Sequence, residues 1–179
     1  MPEEEQRTDA GLQADDEVHL RRCIELAEEA LRRGDDPFGS VLVDGRGSVL
    51  AEALNREVTD DDPTAHPELE LVRWAIAHLD GEARRRATVY TSGEHCPMCA
   101  AAHAWARLGR VVAAASSAQL AEWRSSWGLP AGPVAPIPFA VIAPGTPSVV
   151  SVAPFDEQVR ELHLQAARRK ATIRSDASA

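Results

Sequence analysis

Residues 87–115 decide the fold. Ala87-Thr-Val-Tyr-Thr91 is a short run rich in β-branched and aromatic side chains, Pro97 to Leu108 is alanine-rich with a proline at its start, and Val111-Val-Ala-Ala-Ala115 is apolar throughout. The order is strand, helix, strand. Further on, residues 118–127 suit another helix, and Phe139-Ala-Val-Ile-Ala143 reads as a strand after the proline-rich residues 130–138. A helix between two strands allows the right-handed crossover of a parallel pair, whereas a tight turn forces an antiparallel one. The last two strands are therefore expected to be parallel.

Working back toward the N-terminus, Leu20, Ile24, Ala27 and Leu31 recur at helical spacing from Asp16 onward, with Gly34 as a stop signal. Cys23 flanks that stripe as a small core residue. Two apolar runs, 38–44 and 48–54, flank Gly45-Arg46-Gly47 and fit a hairpin. Pro67 to Leu79 reads as a helix with a broad buried side that includes Leu71, Val72 and Trp74, and Arg84-Arg85-Arg86 as a solvated loop. Trp74 and Trp105 are expected in the core. Residues 144–154 read as a linker and 156–172 as a final amphipathic helix carrying Val159, Leu162, Leu164 and Ala166. The sum is a three-layer α/β/α arrangement of about five helices around a central five-stranded mixed sheet.

The chain has 179 residues, 44% hydrophobic and 26% charged, which suits one soluble domain with a real core. Its charge of −9 is concentrated at the start. Residues 1–17 hold seven acids against Arg7, a local charge of −6 that leaves −3 for the rest. Residues 1–15 are expected to form a disordered acidic tail, 16–173 a single domain, and 174–179 a second disordered tail. A body this acidic lacks the positive surface that phosphate neutralisation requires, so a nucleic-acid partner is disfavoured. No run approaches the roughly 18 apolar residues of a membrane span, and the acidic start is unlike a secretory signal. Three cysteines do not make a disulfide framework, and the expected location is cytoplasmic.

The chemistry lies in His66-Pro67-Glu68 and Cys96-Pro97-Met98-Cys99, each opening an expected helix. Cys-x-x-Cys puts both sulfurs on one face of a first turn, where the positive helix end favours thiolates, and proline fits because its missing N–H is not needed there. On that motif alone, thiol-disulfide chemistry and zinc are equal readings. His66, a borderline-soft donor at a second helix start, completes three ligands of a tetrahedral ion, and zinc suits the set best. Cys23, mid-helix, is poorly placed as a fourth ligand, so the fourth position falls to water. Glu68, two residues past His66, is then placed to carry a proton as a catalytic group.

These residues resemble the zinc-dependent cytidine deaminase-like hydrolases, whose signature is His-x-Glu followed by Pro-Cys-x-x-Cys. The resemblance runs from Asp36 to Ala115 through Pro37-Phe38-Gly39-Ser40-Val41, Asn55, Asp62-Pro63-Thr64-Ala65-His66-Pro67-Glu68 and Tyr90-Thr91-Ser92-Gly93-Glu94-His95-Cys96-Pro97-Met98-Cys99. Parallel final strands resemble the branch of guanine, cytosine, deoxycytidylate and tRNA adenosine deaminases, and Asp62-Pro-Thr-Ala-His resembles guanine deaminases most. The resemblance implies a cytidine deaminase-like fold, a zinc ion on His66, Cys96 and Cys99, Glu68 as proton shuttle, Asn55 on the substrate ring, and a homodimer. The implied reaction is hydrolytic deamination of a free nucleobase or nucleoside, a small-molecule substrate, with a guanine-type purine or amino-triazine favoured and cytosine or cytidine next.

The sequence also departs from the pattern. His95 stands where proline is usual and Pro67 where alanine is usual, and neither change removes a ligand. The region expected to carry an acid that reads the purine edge is Trp123-Arg-Ser-Ser-Trp127. Phe38, His95, Trp123 and Trp127 join Asn55 as candidate substrate contacts, and the final helix as a cover for the site. Three alternatives stay open: a tRNA adenosine deaminase using Arg84–Arg86 or Arg168–Lys170 as a basic patch, a Cys-x-x-Cys thiol-redox protein, and a non-catalytic zinc module.

Overall fold

The computed structural model describes residues 12, 13 and 15–176, with side chains through 172. Residues 1–11 and 14 of the expected N-terminal tail lie outside the described residues, as do 177–179. The elements in chain order are α1 (Asp16–Arg33), β1 (Gly39–Val43), β2 (Val49–Leu54), α2 (Pro67–His78), α3 (Gly81–Arg86), β3 (Thr88–Gly93), α4 (Pro97–Ala106), β4 (Val111–Ala115), α5 (Ser117–Ser126), α6 (Phe139–Ile142), β5 (Ser148–Val150) and α7 (Phe155–Asp176). The sheet order is β2-β1-β3-β4-β5. β1 runs antiparallel to both β2 and β3, while β3, β4 and β5 are parallel.

The sheet is covered on both faces, and its pleat assigns side chains to layers. Val41, Val43, Tyr90, Val112 and Ala114 pack with Leu20, Ile24 and Ala27 of α1 and with Val159 and Leu162 of α7. Leu42 and Val89, one residue out of phase, face Leu71, Val72 and Ala75 of α2, and Val111 meets Ala100 of α4 and Phe139 of α6. β1 and β4 are buried along their whole length, so neither alternates apolar with polar residues, and the one polar side chain in them, Ser40, is hydrogen-bonded to Thr91. At Gly39, an added Cβ would lie 2.4 Å from the Cys23 carbonyl oxygen and 2.7 Å from the Ala27 amide nitrogen. The glycine thus lets α1 lie directly on β1.

The hairpin forms as expected. Asp44 Oδ1 accepts from the N–H groups of Arg46 and Ser48 at 2.8 and 2.9 Å, and Gly47 supplies a φ of +87°. α1 stops at Gly34, whose φ of +104° sends the chain away, and Arg169 of α7 donates to the carbonyls of Leu31 and Gly34 at 2.5 and 2.8 Å. The start of α1 is anchored by Asp16, fully buried, which accepts from Tyr90 Oη at 2.8 Å, from the Gln13 N–H at 2.7 Å and from both Arg110 terminal nitrogens at 2.8 Å.

Four elements differ from the sequence reading. The run Phe139–Ala143 is not a strand: Phe139–Ile142 is a single helical turn whose phenyl ring is fully buried, and the fifth strand is Ser148–Val150, inside the expected linker. A four-residue apolar run has no periodicity that separates a turn of helix from a strand. The parallel pairing of the last two strands survives this change. Arg84–Arg86 is helical, because Asp80 caps α3 by accepting from the Ala83 N–H and Arg84 donates to the carbonyls of Leu79 and Ala106. The final helix continues to Asp176, beyond 172. Trp105 is 88% exposed, whereas Trp74 is half-buried and stacks on His78 at 4.4 Å. Among the described residues no helix is long and apolar enough to cross a membrane.

Candidate active site

The two motifs meet because two helices begin side by side. His66 and Cys96 are the N-cap residues of α2 and α4, both extended and both followed by proline in the first turn. Cys99 lies one turn into α4 and is fully buried. His66 Nδ1 is 3.7 Å from Cys96 Sγ and 3.7 Å from Cys99 Sγ, and the sulfurs are 3.6 Å apart. An ion about 2.3 Å from sulfur and about 2.0 Å from nitrogen, at tetrahedral angles, separates sulfurs by about 3.8 Å and sulfur from nitrogen by about 3.5 Å. The triangle of donors therefore fits zinc.

Electrostatics favour the thiolate at Cys96 and oppose it at Cys99, and they favour the protonated form of His66. A hydrogen bond from Cys99, aided by one from His66, lowers the Cys96 thiol to about 4 against the opposing effect of burial. Cys99 is pushed up by its hydrogen bond to Cys96 and by burial. His66 is raised to about 10, first by Cys96 and then by Glu57, whose Oε1 lies 3.6 Å from Nε2. Metal capture by this set releases protons.

Glu68, in the first turn of α2, is buried. Its Oε1 lies 3.1 Å from Thr91 Oγ1, which in turn accepts from Ser40 Oγ at 2.9 Å. Burial raises its carboxyl to about 7, against the pull of His66 and the Thr91 contact. A carboxyl poised there exchanges protons readily near neutral pH.

A cavity of about 430 Å³ opens onto His66, Cys96 and Glu68. Phe38 lines it as expected. The other walls come from Leu120 and Arg124 of α5 and from the proline-rich segment, including Pro130, Val134 and Pro136. Arg124 Nη2 donates to the Pro130 carbonyl at 3.3 Å, while its buried Nε has no partner among the described residues. Glu94 joins these parts: Oε2 accepts from the Ser117 N–H and Oε1 from the Phe139 N–H, each at 2.7 Å.

Four expected substrate contacts do not line this cavity. Asn55 is fully buried and holds Glu57, donating from Nδ2 to Oε2 at 2.6 Å. His95 is neither at the cavity nor solvent-facing. It is fully buried edge-on against His103 and Phe139, with ring centroids 5.2 and 5.3 Å away, and burial followed by the nearby His103 keeps it neutral. Trp123 packs against the α1/α7 core, and Trp127 lies beneath the Arg160 guanidinium beside a smaller neighbouring cavity. α7 borders that smaller cavity through His163 and Ala166 instead of covering the main one. Glu94, Arg124 and the proline-rich wall were not singled out by sequence, and the only signal for the wall was its composition.

Residues 13–115, more than half of the chain, match the model of the cytidine and deoxycytidylate deaminase zinc-binding region. The chain belongs to that family. It is therefore a hydrolytic deaminase by class, with zinc as its metal. It is 40% identical to a guanine deaminase of Bacillus subtilis over 59% of this chain and 68% of that one. To a tRNA-specific adenosine deaminase of Haemophilus influenzae it is 36% identical over 56% of this chain and 58% of that one, so it spans less than two thirds of that relative's length. A solved guanine deaminase of Nitrosomonas europaea shares the fold over 88% of this chain, with a TM-score of 0.66 at 21% identity.

Proposed function

We propose that this family member deaminates a free amino-substituted nucleobase or nucleoside, a guanine-type purine or an amino-triazine first and cytosine or cytidine next. The observation that carries the reading is the buried Glu68 carboxyl lining the same cavity as His66 and Cys96, two corners of the triangle that Cys99 completes. His66, Cys96 and Cys99 are the residues that would hold zinc. Zinc in such a site lowers the pKa of bound water from about 16 to about 7. Glu68, which is no ligand, takes the water proton and returns it to the ring nitrogen beside the amino-bearing carbon. Thr91 fixes one of its oxygens during both transfers. Phe38 and Leu120 supply apolar walls to a flat ring, and Arg124 supplies a donor at the wall. As the water oxygen bonds to the amino-bearing carbon, its second proton passes to the amino group, the C–N bond breaks, ammonia leaves and a carbonyl remains.

A free small molecule is favoured over tRNA because the chain carries a net charge of −9 and five of the six basic side chains in the two candidate patches make local contacts. Arg85 and Arg86 pair with Glu82, Arg84 and Arg169 donate to backbone carbonyls, and Lys170 pairs with Asp36. A polyanion needs such charges unpaired. We read the protein further as a cytoplasmic homodimer. Free thiols at Cys23, Cys96 and Cys99 suit a reducing compartment, and exposed Ile76, Met98, Trp105 and Val141 lie on the α2/α4/α6 side of the sheet.

The deciding experiment is ammonia release by the zinc-loaded chain over guanine, guanosine, cytosine, cytidine, adenine, adenosine and amino-triazines, with and without Glu68→Gln. Turnover of at least one free base or nucleoside is expected, and Glu68→Gln is expected to keep its zinc while losing about 10²–10⁴-fold in rate. Activity confined to tRNA, with steep salt dependence, reverses the choice of substrate. Undiminished ammonia release by the variant removes Glu68 from the mechanism, and a reversibly oxidised, metal-free Cys96–Cys99 pair returns the redox reading.

A further inference from the structure

His66 offers its two ring nitrogens to two different environments. Nδ1 faces the sulfurs of Cys96 and Cys99, at 3.7 Å from each. Nε2 faces Oε1 of Glu57 at 3.6 Å, an ion-pair distance that a shift of about half an ångström converts to a hydrogen bond. The other oxygen of Glu57 is held from inside the fold: Oε2 accepts from Asn55 Nδ2 at 2.6 Å, and Asn55 Oδ1 accepts from the Glu57 N–H at 3.1 Å. Asn55 is fully buried, so it presents the carboxylate from a fixed base. The backbone on either side is fixed as well. Asp35 accepts from the N–H groups of Val58 and Thr59 at 2.8 and 2.9 Å, and the Glu57 carbonyl accepts from the Asp62 N–H at 3.1 Å.

We propose that Glu57 is a positioning residue for the metal: its carboxylate accepts the Nε2–H of His66 and so keeps the Nδ1 lone pair directed at the site between Cys96 and Cys99. Neutral imidazole carries one ring proton, and an ionised carboxylate can only accept. A proton drawn to Nε2 therefore leaves Nδ1 free to bind an ion, and the same contact sets the angle of the ring. Glu57 does not line the cavity, so it acts through His66. Asn55 belongs to the same chain of contacts, because its amide fixes the carboxylate that fixes the imidazole. The inference rests on His66 being a zinc ligand.

The test measures zinc affinity of the full chain by chelator competition for the wild type, Glu57→Ala, Glu57→Gln, Asp35→Asn and His66→Ala. Glu57→Ala is expected to weaken zinc about 10- to 100-fold, and Glu57→Gln less, since an amide oxygen still accepts. Asp35→Asn disturbs the same loop without touching His66 and is expected to leave affinity within about threefold of wild type, well short of that loss. Wild-type affinity in Glu57→Ala overturns the proposal, as does an equal loss in Asp35→Asn. Unchanged affinity in His66→Ala overturns the ligand assignment itself, which separates the two failures. Nitrogen-15 NMR of the zinc-loaded wild type supplies a readout that needs no variant to fold. It is expected to find the His66 Nε2 proton with the downfield shift and slow exchange of one donated to a carboxylate, and an Nε2 proton that exchanges freely with water sinks the proposal.

Discussion

At the scale of single residues, Asp16 shows how a fold uses an acid outside its active site. Burial alone pushes its carboxyl up, but hydrogen bonds from Arg110, Gln13 and Tyr90 outweigh it and hold the group below the usual aspartate range. A lowered folded-state pKa means that the stabilisation is whole above about pH 4, where an unfolded aspartate titrates, and is lost as pH falls through the folded value. Asp16→Asn should cost about 3 kcal/mol at pH 7, since it strips the charge from a buried partner of Arg110. The gap between wild type and variant should narrow in acid, as read by urea unfolding at pH 7 and pH 3. The site residues divide by the same logic of surroundings. His66, Cys96 and Cys99 were legible because a metal site demands particular atoms at particular spacings, Glu68 was singled out as the carboxyl two residues past His66, and Pro67 and Pro97 marked the helix starts that carry them. His95 and Asn55 were legible as types but not in their roles. A side chain in a loop shows nothing in sequence of whether it turns toward the cavity or into the core, and here both turn inward.

At the scale of elements, the close approach of α1 to β1 depends on one missing methyl group. Gly39→Ala places a carbon against the backbone at Cys23 and Ala27, neither of which can rotate away. The helix must move, and a loss of about 1–3 kcal/mol is expected in denaturant unfolding. Zinc content is the control, since His66, Cys96 and Cys99 sit on α2 and α4 and not on α1. Elements whose apolar pattern was long enough to show a period were read correctly, α1, α2 and α4 among them. The final strand was not, because Ser148–Val150 is a three-residue edge held by backbone contacts to β4, and its pairing depends on a neighbour distant in sequence. The turn at Phe139–Ile142 failed for a related reason: its identity is set by Phe139 filling the space beside His95 and His103. Tertiary packing decides such short pieces.

At the scale of the whole molecule, one side of the sheet presents large apolar groups to solvent. Trp105 on α4 is 88% exposed, Val141 on α6 68% and Ile76 on α2 56%. Large apolar groups exposed on one layer of a fold are candidates for a contact surface. If the homodimer proposed above uses that side, Trp105→Glu should shift the mass measured by light scattering from two chains to one at micromolar concentration. A dimer that persists unchanged places the contact elsewhere.

Glu94 bridges the metal-bearing loop to both ends of the stretch that walls the cavity, through the amides of Ser117 and Phe139. Between those anchors α5 is tied to the core through Trp123 and to Asp156 through Gln119, whereas the proline-rich residues 130–138 form no helix or strand. Grafting a different 130–138 segment is thus a route to a new substrate range that leaves the hydrolytic machinery intact, and natural divergence has the same route open to it.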